Sequence, residues 1–329
     1  MCPGGVRRPV STDADGSEPA GLSPDEAFAA LGDETRMGIL RALGDAREPL
    51  AFSELRDRVG VRDSGQFNYH LDRLVGHFVS RGEDGYELRR AGERVVEAVL
   101  SGAVTQAPEL GPTGVDRPCP YCGAGIEVRY REEELTLFCP ECAGLYGERV
   151  GPEDHGLLGT LFLPPAGVEG RDPGELLEAA YTWGGLATMS AVDGVCPRCS
   201  AAVEESVEVC EDHDPGEGVC GACGGRYAAS VRFRCTNCIY DRGGAFGVRF
   251  LTNTDLLAFL TARGDSPFGA PPRSVFGTAM DYEEEVRSTE PFEARFTFTA
   301  GGDALALTVG EDLSVVEVSE VTGPGAATE

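Results

Sequence analysis

The chain has 329 residues, 41% of them apolar, which is enough for two or three domains with real cores and excludes wholesale disorder. Asp and Glu number 55 against 28 basic residues, every one of them Arg, so the formal charge is −27 with no Lys anywhere. A surface so rich in carboxylate and devoid of Lys is what adaptation to molar salt produces, and an extreme halophile is the expected source. At roughly 1 M salt the Debye length is about 3 Å, so the negative charge does not by itself exclude nucleic acid. The longest apolar stretch, Leu157 to Val168, is interrupted by Gly159, Thr160, Pro164 and Pro165 and falls short of the ~20 residues a bilayer requires. Met1 to Gly5 lacks the apolar stretch of a signal peptide, so a cytoplasmic location and no membrane partner are expected. In a reducing compartment, 12 cysteines point to metal ligands rather than disulfides.

In chain order, residues 1–22 carry Pro, Gly, Ser and Asp without periodicity and read as a flexible tail. Ser23-Pro24-Asp25-Glu26 is a helix start, with a capping hydroxyl, proline at the first position and acids in the first turn. Over 23–102 the apolar positions repeat with helical period: Phe28 and Leu31; Ile39, Leu40 and Leu43; Phe52, Leu55 and Val59; Phe67, Leu71 and Leu74. Gly44, Gly60 and Val61 to Ser64 separate these four short helices at helix-turn-helix spacing. Phe78 to Leu88 reads as two strands around an Asp84-Gly85 turn, and a helix over Ala91 to Leu100 closes a winged helix-turn-helix pattern.

Leu31-Gly32-Asp33-Glu34-Thr35-Arg36-Met37-Gly38-Ile39-Leu40 resembles the signature of winged-helix repressors of the arsenical-resistance type (ArsR-like). Asp63 to Leu71 with Gly85-Tyr86-Glu87-Leu88 resembles, more narrowly, haloarchaeal winged-helix regulators that carry cysteine pairs further along. The resemblance implies DNA binding over residues 23–101. It does not carry arsenic sensing, because Glu54-Leu55-Arg56-Asp57-Arg58 lacks the cysteines that metal-sensing members place there.

The residues make the same argument unaided. With Phe67, Leu71 and Leu74 facing inward, Gln66, Tyr69 and Arg73 form an outward stripe flanked by Asn68 and Asp72. Gln and Asn pair with adenine and Arg with guanine, while Ser64 at the helix start can meet a phosphate. Arg81, Arg89 and Arg90 surround the wing. Residues 23–101 hold 11 Arg against 15 acids, the rest of the chain 17 against 40, so this unit is relatively the basic part. His70 reads as a packing residue.

Residues 103–116, rich in Pro and Gly, read as a linker. Beyond them Cys119 and Cys122 precede Cys139 and Cys142 by 16 residues, Cys196 and Cys199 precede Cys210 and His213 by 10, and Cys220 and Cys223 precede Cys235 and Cys238 by 11. Taken in that order they make three tetrahedral sets and predict three structural zinc ions in ribbon-like modules, one at 117–150 and two at 195–242. The last eight ligands can also pair crosswise, Cys196, Cys199, Cys220 and Cys223 at one ion and Cys210, His213, Cys235 and Cys238 at another. A closed shell of four protein ligands is structural, and six paired positions flanked by Pro, Gly and hairpins do not suit a thioredoxin-like redox enzyme. Cys2 has no partner.

Residues 151–194 read as a helical insert, with a helix at Pro173 to Met189 and Trp183 in its core. Residues 243–329 read as an α+β domain: a strand at Phe246 to Leu251, a helix at Thr254 to Ala262 and an antiparallel meander through Phe292–Phe298, Leu305–Val309 and Val315–Val318. Glu283-Glu284-Glu285 reads as solvated surface.

The expected fold class is therefore α+β. No phosphate-binding loop, nucleophile elbow or His-Glu-x-x-His run occurs, so no enzyme is expected. The expected function is a sequence-specific DNA-binding transcriptional regulator, with double-stranded DNA and a second copy of the chain as partners. Two alternatives stand beside it: a zinc-ribbon module contacting transcription machinery, and a thiol- or metal-responsive sensor.

Overall fold

The computed structural model describes residues 22–147, 149–150, 155–216, 218–271 and 274–321. The expected tail therefore lies, but for Leu22, outside the described residues, as does Cys2. The fold is mixed α+β with several small sheets and three cysteine clusters. It divides into two compact units, one ending at Leu100 and the other starting at Ser101.

The first unit runs α1 (Pro24–Leu31), α2 (Glu34–Gly44), α3 (Phe52–Val59), α4 (Ser64–Asp72), β1 (Val79–Arg81), β2 (Tyr86–Leu88) and α5 (Arg90–Leu100). Side chains set the helix starts: Ser23 and Glu26 form a capping box on α1, Asp33 accepts from the Arg36 amide, and Asp63 accepts from the Gln66 amide at 2.6 Å. Ile39, Leu40, Leu55, Phe67, Leu71 and Leu74 are completely buried, with Phe52 edge-on to Phe67 at 5.2 Å. The β1–β2 hairpin reaches this core through the Leu50–Tyr86 bridge, where a side chain on Gly85 would collide with the Leu50 carbonyl. α1 departs from expectation: it buries none of its residues, and Phe28 is 74% exposed.

The second unit contains three antiparallel sheets. The strands β3 (Leu110–Pro118), β4 (Gly125–Arg131), β5 (Glu134–Cys139), β6 (Arg149–Val150) and β7 (His155–Phe162) form one in the order β3-β4-β5-β7-β6. α6 (Pro173–Val192) buries Leu176, Leu177 and Ala180 in the same apolar cluster as Val128, Leu135 and Leu137 of that sheet. Next come β8 (Val203–Val209), β9 (Ala229–Cys235) and β10 (Asp241–Ala245), in the order β10-β9-β8. After α7 (Thr254–Ala262) and α8 (Val275–Thr278), a meander follows of β11 (Tyr282–Thr289), β12 (Phe292–Ala300), β13 (Asp303–Val309) and β14 (Val315–Val321). Its core is aromatic, with Phe246 stacked on Phe296 at 4.4 Å and Phe250 edge-on to Phe298.

Several expectations need correction. The expected linker at 103–116 contains most of β3, whose glycines and prolines sit at an irregular sheet edge where few ladder bonds are needed. The insert at 151–194 is not purely helical, because β7 is an inner strand of the five-stranded sheet. Phe246–Thr252 is a 3-10 turn rather than a strand; it buries Phe246, Val248, Phe250 and Leu251 together, and a short apolar run does not show its period. Glu284 is no solvated side chain: on β11 it shares the inward face of Tyr282 and accepts from the amides of Ala228 and Ala229. Trp183 is 51% exposed rather than core.

Candidate metal centres and candidate nucleic-acid interface

Three clusters gather every predicted metal ligand. In each, one sulfur or nitrogen atom per residue lies within 4.8 Å of all the others. The first is Cys119, Cys122, Cys139 and Cys142, as expected. The other two differ from both pairings read from spacing: Cys196 and Cys199 join Cys235 and Cys238, while Cys210 and His213 join Cys220 and Cys223. The pairs are nested. β8 and β9 form a hairpin in which Val203 faces Cys235 and Val209 faces Ala229, so one cluster closes its base and the other its tip. Serial pairing would need ligands from opposite ends of a seven-residue strand, about 20 Å apart at ~3.3 Å per residue.

The local backbone that aims these thiols recurs three times. The amides of Cys119, Cys196 and Cys220 donate to the carbonyls of Ala124, Ala201 and Gly225, and those of Gly123, Ser200 and Gly224 donate back to the three cysteines. Gly123, Ser200 and Gly224 all take positive φ, which turns the chain so that both thiols of each pair face the same point.

The spacing fits a tetrahedral ion. Four thiolates about 2.3 Å from a zinc lie about 3.8 Å from one another. The observed Sγ–Sγ distances are 3.7 Å for Cys119–Cys142, 3.5 Å for Cys122–Cys139, 3.6 Å for Cys196–Cys238 and 3.5 Å for Cys199–Cys235. Those are far from the ~2.05 Å of a disulfide. At the tip, His213 Nδ1 is 3.4 Å from Cys223 Sγ, and its Nε2 donates to the Arg226 carbonyl at 3.1 Å. A carbonyl only accepts, so Nε2 carries the proton and Nδ1 keeps its lone pair for a metal.

The polar surroundings favour thiolate at key positions. Amides of Cys223, Asp214 and Ala222 pull the Cys220 thiol down to about 6, and the Ala201 amide with Asn237 does the same for Cys199, also to about 6. Burial pushes Cys119 well above the usual thiol range and Cys210 up to about 11. A metal ion offsets such burial by taking the thiolate directly. The three groups could therefore hold metal ions, and the donor sets are compatible with zinc. Four protein ligands fill a tetrahedral shell and leave no position for a substrate, which suits a structural ion.

Arg226, which the sequence reading passed over, ties the hairpin tip to the first cluster. Its guanidinium lies over the Tyr121 ring at 4.1 Å and donates from two nitrogens to the Gly144 carbonyl at 3.2 Å. Its amide donates to Leu145 and its carbonyl accepts from His213. The only sequence signal is an Arg three residues after the last Cys of a Cys-x-x-Cys turn.

In the first unit, α4 buries Phe67, His70 and Leu71 and exposes Gln66, Asn68, Tyr69, Asp72 and Arg73. His70 packs as expected, with Nδ1 3.3 Å from the Asp33 carboxylate. Tyr69 is 54% exposed and lies beneath the Arg73 guanidinium at 5.5 Å. Asn68 is committed to Asp72 at 2.8 Å. Ser64 is exposed, but the Asp63 carboxylate already caps the helix, so the expected phosphate seat is occupied by an anion of the protein. Of the hairpin arginines, Arg81 lies over the Tyr86 ring, Arg89 donates to the Gly76 carbonyl and Arg90 pairs with Glu93 at 2.6 Å.

Residues 116–315, more than half of the chain, match the family described as "Domain of unknown function (DUF7351)". The chain belongs to the DUF7351 family. The DUF7351 match contains all three clusters, the β8–β9 hairpin and most of the meander. A second match, "Domain of unknown function (DUF7347)", spans residues 24–99 and so covers nearly all the described part of the first unit. No curated protein and no solved structure matches the chain. No helix among the described residues is long and apolar enough to cross a membrane.

Proposed function

We propose that the protein is a sequence-specific DNA-binding transcriptional regulator held together by three structural zinc ions. In this reading α3 and α4 are a helix-turn-helix, β1–β2 is the wing, and the modules around the three clusters are zinc ribbons. The observation that carries it is the outer face of α4. Gln66 and Arg73 stand exposed on one stripe beside Tyr69, and among the described residues neither has an acidic partner, whereas Arg58, Arg90 and Asn68 are each engaged with a carboxylate. An α-helix with its side chains, about 10–12 Å across, enters a major groove about 12 Å wide. There Gln66 would read adenine and Arg73 guanine. Arg81 would lie against the backbone as the wing crosses it, and Arg89 and Arg90 would reach it by leaving the Gly76 carbonyl and Glu93.

At molar salt the release of counterions from phosphates adds little affinity, so base contacts and pairing of two copies on a two-fold site would supply it. Selection from a random duplex library at molar salt tests this. The full chain is expected to enrich one motif, and Gln66→Ala with Arg73→Ala to lose that enrichment while zinc content and helical circular dichroism stay unchanged. Enrichment of no motif by the wild type would refute the reading.

A metal- or thiol-responsive role stands second, favoured by the tip cluster, where Cys223 is exposed and acidic residues surround His213. It requires that mild oxidation or loss of one zinc changes DNA binding reversibly.

A further inference from the structure

We infer that the second unit carries a binding site for a small amphipathic carboxylate, a molecule with an apolar chain or ring and one anionic end. The DNA-binding reading does not enter this inference, which concerns binding alone.

A cavity of about 910 Å³ opens between β7, α6 and the β9–β10 pair. That is at the upper end of the range for sites that take drug-sized ligands. Its walls are mostly apolar, with Leu137, Leu161, Phe233 and Phe276 on several sides. Trp183, half exposed on α6, borders the same space. The cavity persists because bare backbone faces it: Gly159 lies within strand β7, and a Cβ added there would meet nothing within 4 Å.

The charges at its rim select the ligand. Arg117, Arg198, Arg242 and Glu134 border it, and with Glu178 counted against Arg117 a surplus of one positive charge, that of Arg198, is left in a chain of net charge −27. Arg242 pairs with Glu134 at 3.2 Å, and Arg117 pairs with Glu178 at 2.6 Å. Arg198 has no carboxylate partner among the described residues; its guanidinium lies over the Phe162 ring at 4.9 Å. One uncommitted guanidinium at the mouth of an apolar cavity matches a ligand with one carboxylate and an apolar body. A cationic ligand would meet the surplus with the wrong sign, and a wholly apolar one would leave Arg198 unused. Arg198 lies between the ligands Cys196 and Cys199, so a bound carboxylate would also touch the turn that closes the hairpin base.

Trp183 is the only tryptophan, so its emission reports on the site directly. The probes are decanoate, decylammonium and decan-1-ol, titrated into the full-length, metal-loaded protein. Decanoate is expected to shift Trp183 emission saturably and to bind at least about tenfold more tightly than decylammonium, the difference that one charge-assisted contact supplies. Arg198→Gln should weaken decanoate by about tenfold and leave decan-1-ol unchanged. Ala187→Phe, on α6, should block both by filling the space. No saturable change with decanoate overturns the proposal, as does undiminished decanoate binding by Ala187→Phe. Equal affinity for decanoate and decylammonium overturns the assignment of a carboxylate.

Discussion

The first unit and the β8–β9 hairpin of the second secure their folds in different ways. From α1 to α5 a continuous apolar core takes buried residues from four of the five helices and the hairpin, with Ala27, Ala30 and Leu31 of α1 packed against it, and no cysteine occurs among the described residues of this unit. β8, by contrast, buries none of its seven residues, alternating only between half-buried and exposed. β8 is an edge strand of its three-stranded sheet, and of the β8–β9 pair only β9 carries buried side chains into the core. Cysteine clusters stand at both ends of the pair, where it would fray. In the first unit the core stands without ligands; in the second, ligands lie at the margin of a core, Cys196 and Cys235 in the cluster of Val231 and Phe233, Cys119 and Cys139 in that of Val128 and Leu137.

The largest effect expected is from removing the metal, since structural zinc contributes apparent free energies of about 10–16 kcal/mol in small domains. A strong chelator should open residues 195–242 to proteolysis while the first unit keeps its helical circular dichroism and resists cleavage. Loss of both together would break the comparison. Nested pairing sharpens it: Cys196→Ser with Cys235→Ser should cost one zinc by elemental analysis, because both belong to the hairpin base, whereas either pairing read from spacing would cost two.

On the other side, Leu55→Ala should cost about 2–5 kcal/mol in the unfolding of the first unit, by loss of a completely buried side chain, with zinc content unchanged. Glu284→Ala should cost about 1–3 kcal/mol in the second unit, because the Ala228 and Ala229 amides lose their acceptor. The smallest effect is one of pH. The Cys220 thiol is depressed from about 9 to about 6, so its contribution is fully present above its ordinary value and is lost as pH falls through about 6. Zinc measured after desalting should be retained at pH 7.5 and released on acidification below about 6, since a bound ion competes with the proton for the thiolate; Cys220→Ser should move that release to higher pH, and an unchanged release profile would show that this thiolate is not a ligand.

Much of this was legible in the sequence, and the failures have definite causes. Caps such as Ser23 with Glu26, and the inward set Phe67, Leu71 and Leu74, located the helices of the first unit because local chemistry decides them. All twelve predicted ligands fall in the clusters, yet their pairing was misread. One strand separates Cys199 from Cys210, and one separates Cys223 from Cys235, which sends each pair to opposite ends; two strands separate Cys122 from Cys139, which returns them to the same end. Counting strands between the pairs would have shown the nesting. Glu284 was misread in a similar way, since period two puts it on the face of Tyr282 and its neighbours on the other. The 910 Å³ cavity was beyond reach, because its walls come from segments more than 100 residues apart.

The central claim is that the exposed face of α4 reads DNA bases, and genome-wide occupancy in a haloarchaeal host at its native salt tests it most directly. The account predicts discrete peaks for the wild type that vanish when Gln66 and Arg73 are both replaced by Ala while the protein remains folded and at equal abundance. Peaks that persist unchanged in that variant, or no peaks for the wild type under several growth conditions, would contradict it.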